Sequence, residues 1–164
     1  MQSLEYLAGL MDGEGTFTLK GCQSTLADGT RIRRAVPGLK MSNTDKRLVD
    51  VMNERWPSTI VFLQNPGRNG SNQKNHKNIW LWEANTTTAT VICEQLMPFL
   101  VSKKEQALIV MTMGKIGGVR NKNRKGRARA KPDWLLLLED FAVNRIRELN
   151  KRGVDCPSLI HGET

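Results

Sequence analysis

Apolar residues along this chain change rhythm repeatedly, and each change predicts an element. Leu4, Leu7, Leu10 and Met11 recur at helical spacing, so a short helix is expected over residues 3–11, with Ser3 as its N-cap. Residues 16–20 alternate instead, with Phe17 and Leu19 on one side and Thr16, Thr18 and Lys20 on the other, which predicts a strand. The Asp28-Gly29 turn signal leads into a second extended segment over 31–42. Its apolar parity changes between Val36 and Leu39, beside Pro37-Gly38, which predicts a β-bulge. Leu48, Val49 and Met52 mark an amphipathic helix over 44–55, stopped ahead of Pro57. Residues 59–63 and 78–83 read as two further strands, in which Trp80 and Trp82 are expected to pack rather than stack on bases. The second half is helical: 87–97 and 101–113, divided at Pro98, then 132–150, opened by Pro132 near its first turn. The order helix, two strands, helix, two strands, helices is an α+β pattern. It predicts an antiparallel sheet with helices on one face and polar, basic residues on the other.

At 164 residues the chain is long enough for one domain with a real core, and it contains no internal repeat. The expected division is a core over 1–115, a basic loop over 116–131, a C-terminal helix over 132–150 and a tail over 151–164. The net charge is +9, and residues 115–131 carry nearly all of it: eight of the 25 Lys and Arg, and no acid. A glycine-punctuated basic run without apolar periodicity is not expected to pack into a core. It reads as an arm along phosphates, with a solvated loop or an RNA-binding segment as the alternatives. The polar stretch over 64–78 is either a hairpin tip or a reader of base edges, since Asn and Gln pair with adenine and Arg and Lys with guanine. Cys22, Cys93 and Cys156 form neither a zinc pattern nor a disulfide framework, and His76 and His161 are isolated polar positions. No run approaches the ~20 apolar residues of a membrane span, and the start of the chain does not resemble a signal peptide. An intracellular, reducing compartment is expected, not secretion, and no membrane partner.

The chemistry concentrates in residues 7–15, LAGLMDGEG. A mid-helix glycine costs roughly 1 kcal/mol against alanine, so Gly9 implies close approach of another helix. Asp12 and Glu14 then emerge at the negative end of the helix dipole, a poor place for carboxylates. Two copies of Glu14 brought together there would repel more strongly still. A hard divalent cation, which takes carboxylate, carbonyl and water oxygens, resolves that conflict. The bland reading of a single acid in this position is a helix C-cap and a polar turn.

The nonamer resembles the motif of the LAGLIDADG homing endonucleases. Leu7, Ala8, Gly9, Leu10, Asp12 and Gly15 are identical to it; Met11, Gly13 and Glu14 are conservative changes. The resemblance extends over most of residues 3–115 and is closest to single-motif homodimeric members, whose αββαββα order matches the pattern above. It implies that Glu14 and the carbonyl of Gly13 hold Mg²⁺, with Mn²⁺ as the other permitted cation and Ca²⁺ binding without supporting cleavage. Asp12 then caps or supports the turn. Lys103, which follows Pro98-Phe99-Leu100, matches the active-site lysine, although by itself it reads as a helix-surface residue. Asn43 and Arg47 match a solvent-ordering pocket. One motif per chain implies a homodimer, with Leu4, Leu7, Ala8, Gly9, Met11 and Asp12 at the interface. The substrate implied is double-stranded DNA with approximate two-fold symmetry, cut in both strands during intron or intein homing.

Residues expected to meet DNA on the strands and their connecting loops are Lys20, Gln23, Arg31, Arg33, Arg34, Lys40, Gln64, Arg68, Asn72, Lys74 and Lys77. Lys104, Lys115, Arg120, Lys122, Arg124 and Lys125 are expected to do so in the second half. Two rival functions remain: an RNA maturase that assists splicing, and a DNA-binding protein that does not cleave. Retention of Glu14 and Lys103 argues against both.

Overall fold

The computed structural model describes residues 2–25, 31–57, 60–64, 79–122 and 132–151. The elements are α1 (Leu4–Glu14), β1 (Gly15–Thr25), β2 (Arg31–Asn43), α2 (Lys46–Arg55), β3 (Ile60–Gln64), β4 (Ile79–Ala84), α3 (Thr86–Leu96), α4 (Lys104–Lys122) and α5 (Asp133–Leu149). The strands form one antiparallel sheet in the order β1-β2-β4-β3. The expected α+β architecture is therefore present, and helices follow α3 as well.

Local chemistry sets the boundaries. Ser3 caps α1 by accepting from the Tyr6 amide, Asp45 caps α2 and Asn85 caps α3. The helices pack on one sheet face, where Phe17, Leu19, Leu39, Met41 and Trp82 join Leu7, Met11, Val49, Ile92 and Val110 in the core. Trp82 is fully buried with its ring 6.3 Å from that of Trp56. Trp80 is half-buried, with the Lys46 ammonium 5.3 Å from its ring centre. Packing is what both tryptophans do.

Two expectations about the chain path are corrected. The β1–β2 register runs without a skip from Gly15↔Met41 to Thr25↔Arg31, so β2 has no bulge at Pro37-Gly38. β4 ends at Ala84, opposite Leu39, so Pro37 lies beyond the end of that ladder. The Ala35 amide, on the same side of β2, donates to Glu139 of α5, and the Pro37 carbonyl accepts from the Thr86 hydroxyl. Proline's missing N–H thus falls where no strand asks for it. Secondly, α4 begins at Lys104 and runs to Lys122, so the boundary expected at 115/116 falls inside a helix. Ile116 packs against the core, and Gly114 lets α4 meet α3 closely, which anchors the first part of the basic run.

Two side chains close the outer edge of the sheet. Asn150, at the end of α5, donates to the Phe17 carbonyl at 2.8 Å, and Lys103 donates to the Gly15 carbonyl at 2.7 Å. Both cover backbone acceptors of the edge strand β1.

Candidate active site

Helix α1 passes into β1 without a loop. Glu14 is the last helical residue and Gly15 the first of the strand, its amide closing the helix on the Met11 carbonyl. A Cβ on Gly15 would lie 2.4 Å from Met11 Cε and 2.6 Å from its carbonyl oxygen, so this position admits only glycine. Asp12 points the other way. Its carboxylate accepts from the Val101 amide (2.7 Å), the Ser102 hydroxyl (3.0 Å) and the Lys103 amide (3.0 Å). Its three partners lie just ahead of α4, 89 to 91 positions along the chain. The three bonds hold residues 101–103 out of helix α4, which explains its start at Lys104.

Lys103 returns the contact. Its ammonium donates to the Met11 carbonyl at 3.2 Å and the Gly15 carbonyl at 2.7 Å, bracketing Gly13 and Glu14. Burial lowers its pKa from the ordinary lysine value, while the charges of Asp12 and Glu14 pull it back up. The ammonium is thus a half-buried cation at the negative end of α1. Glu14 and Gly13 are exposed beside it. Among the described residues no cluster of three His, Cys, Asp or Glu could hold a metal alone. One carboxylate and one carbonyl are hard oxygen donors, and they suit a cation that completes its shell with water, phosphate or a second chain.

Asn43 ends β2 two residues beyond Met41, the partner of Gly15, and so lies at the same end of the sheet as Glu14. Its side-chain carbonyl accepts from the Asp45 amide at 2.8 Å. Arg47 is exposed and forms an ion pair with Asp45 at 2.6 Å, which raises its own pKa and lowers that of Asp45. The bonds of both residues run to Asp45, not to Glu14 or Lys103.

The proposed dimer residues divide. Leu7, Ala8 and Met11 are fully buried in the chain's own core, and Leu4 packs against that core. Asp12 is engaged with residues 101–103. The exposed stripe of α1 carries Tyr6, Gly9 and Gly13. A Cβ on Gly9 or Gly13 would meet nothing within 4 Å. Among the described residues, therefore, nothing packs against these two glycines. Tyr6 was missed in the sequence, yet its spacing of three from Gly9 and seven from Gly13 places all three on one helical face.

On the sheet face away from the helices, the register aligns Thr16, Thr18, Lys20, Val36, Lys40 and Ser42. Position 34 continues that row by parity, whereas 23, 31 and 33 share the parity of the helix-covered face. Gln64 ends β3. Lys104 is exposed at the start of α4. Lys115 is paired with Glu94 of α3 at 2.7 Å, so it ties two helices together. Positions 120 and 122 lie on the last turns of α4. Arg68, Asn72, Lys74, Lys77, Arg124 and Lys125 lie outside the described residues.

No family model and no curated protein matches the sequence. Solved structures do match. The homing endonuclease I-CvuI, in complex with its target in the presence of calcium, superposes with a TM-score of 0.62 at 14% identity, over 93% of this chain and 85% of that one. The homing endonuclease I-TnaI gives 0.60 at 12% identity, over 90% and 95%. The archaeal intron-encoded homing endonuclease I-Vdi141I, in complex with DNA, gives 0.51 at 13% identity, over 85% and 95%. The chain has the LAGLIDADG homing-endonuclease fold.

Proposed function

We propose that two copies of this protein form a site-specific DNA endonuclease. It hydrolyses one phosphodiester in each strand of a long, approximately palindromic duplex, in support of intron or intein homing. Structures that share the fold are described as homing endonucleases, among them complexes with DNA. The observation that carries the reading is local: exposed Glu14 at the end of α1, with the recessed Lys103 ammonium beside it.

Glu14 and the Gly13 carbonyl would hold Mg²⁺, with Ca²⁺ supporting binding alone. The cation, when bound, supplies charge to acidify a water and to neutralise the phosphate. Lys103 keeps a fixed positive charge next to the position of the reacting phosphate and offsets negative charge gained in the transition state. Asp12 fixes the backbone from which Lys103 projects. The bare surface at Gly9 and Gly13 lets a second α1 approach along the two-fold axis, which places one Glu14 per strand. The outer sheet face, with Lys20 and Lys40, then meets the major groove on each side.

Two variants test this. Glu14→Gln should abolish Mg²⁺-dependent cleavage and leave DNA affinity equal or higher, because a negative charge near phosphate is lost. Gly9→Leu should fold normally, having open space to fill, yet sediment as a monomer and cut neither strand. Cleavage by the glutamine variant would falsify the site assignment; a dimeric leucine variant would remove α1 from the interface.

A further inference from the structure

The four strands contain one acidic residue, Glu83. It stands on β4 opposite Lys40 of β2 and Ile60 of β3, on the sheet face away from the helices. Its Oε1 accepts from Lys20 Nζ, and its Oε2 lies 3.6 Å from Lys40 Nζ. The three side chains keep 26%, 48% and 34% of their surface exposed, so they remain reachable from solvent. Beside them opens a depression of about 310 Å³, walled by Lys20, Gly38, Glu83, Asn85 and Thr86. The bond to Lys20 holds the Glu83 carboxyl below the usual carboxylate range, so it stays ionised.

An acid in the middle of a face that meets phosphates needs a reason. Stability is a weak one, because solvated ion pairs contribute on the order of 0–1 kcal/mol. Base recognition is stronger. In the major groove cytosine offers an N4 amino donor, and its guanine partner offers the N7 and O6 acceptors alongside it. A carboxylate flanked by ammonium groups complements that edge, whereas thymine O4 would face the carboxylate as a second acceptor.

We infer that the Lys20–Glu83–Lys40 triad reads one C·G base pair in each half of the target, Glu83 accepting from cytosine N4 and a flanking lysine donating to guanine. This rests on the DNA-binding role proposed above.

The test is competitive selection of duplexes by the full-length protein, from a library randomised across the target, with Ca²⁺ replacing Mg²⁺. The wild type should favour cytosine at one position per half-site by about fivefold or more. Glu83→Gln should lose that preference and gain adenine at the same position, since an amide pairs with adenine. Other positions should stay within about twofold. Lys40→Met and Lys20→Met together should weaken the same C·G preference without the gain of adenine. A Glu83→Gln profile identical to wild type, whether or not the melting temperature falls, would overturn the proposal and leave the triad as a tie across the sheet. Absence of sequence-selective binding by the wild type would instead sink the nuclease reading beneath it.

Discussion

Asp12→Ala should cost about 2 kcal/mol of stability and most of the cleavage rate, and the structure explains both effects. The carboxylate accepts three hydrogen bonds, from Val101, Ser102 and Lys103, across 89 to 91 positions of sequence. A bond to a charged acceptor is worth about 1.5–3 kcal/mol when sheltered. Val101 and Ser102 are exposed, so water replaces much of what the mutation removes, and about 0.5–1 kcal/mol per bond is the better figure. In urea denaturation, with a slope of about 2 kcal/mol/M, the midpoint should fall by about 1 M at unchanged slope. The rate should fall because residues 101–103 carry Lys103, whose ammonium reaches Met11 and Gly15 only while that backbone is pinned. Asp12→Asn keeps one acceptor oxygen and should recover about half of the stability. An alanine variant less than about 0.5 kcal/mol weaker than wild type, with undiminished cleavage, would show that the latch holds nothing.

Gly114→Ala places a Cβ 1.9 Å from the Thr90 hydroxyl, itself bonded to the Thr86 carbonyl, and should cost about 1–3 kcal/mol. Adding Thr90→Ala should restore most of the lost melting temperature, and failure to do so would remove this crossing as the cause. Glu83 has a depressed pKa, so its share of stability is full above its ordinary value of 4.5 and is lost as pH falls below that. Acid titration of Glu83→Gln should therefore show a flatter decline below about pH 4.5 than wild type, and parallel curves would contradict the shift. Cys93 is buried and its thiol is pushed up to about 12, so a thiol reagent at pH 8 should label it only upon unfolding. Fast native-state labelling of Cys93, mapped by mass, would contradict that burial.

Much of this protein was legible in one dimension because its signals are local. Leu4, Leu7 and Met11 declare a helix and Phe17 and Leu19 a strand through spacing alone, and Ser3 caps the first of these as expected. The metal-suited pair Gly13–Glu14 is contiguous, so a motif could reveal it. Parity at Pro37 misled, because a proline costs a strand nothing where the neighbouring strand has already ended, and only the ladder tells where it ends. The basic run misled at its start, because Ile116 found core contacts that charge density does not disclose.

The sequence determined the element order, the acid at the end of the first helix and the excess of positive charge, since each depends on neighbours within a few residues. The tertiary structure alone decided that Leu7, Ala8 and Met11 turn inward and leave Tyr6, Gly9 and Gly13 outside, because the face a helix buries is set by what packs on it. It alone joined Asp12 to Lys103 and Lys20 to Glu83, 63 positions apart. Hydrogen bonds and ion pairs act over a few ångströms of space, and only folding converts long separations in sequence into such distances.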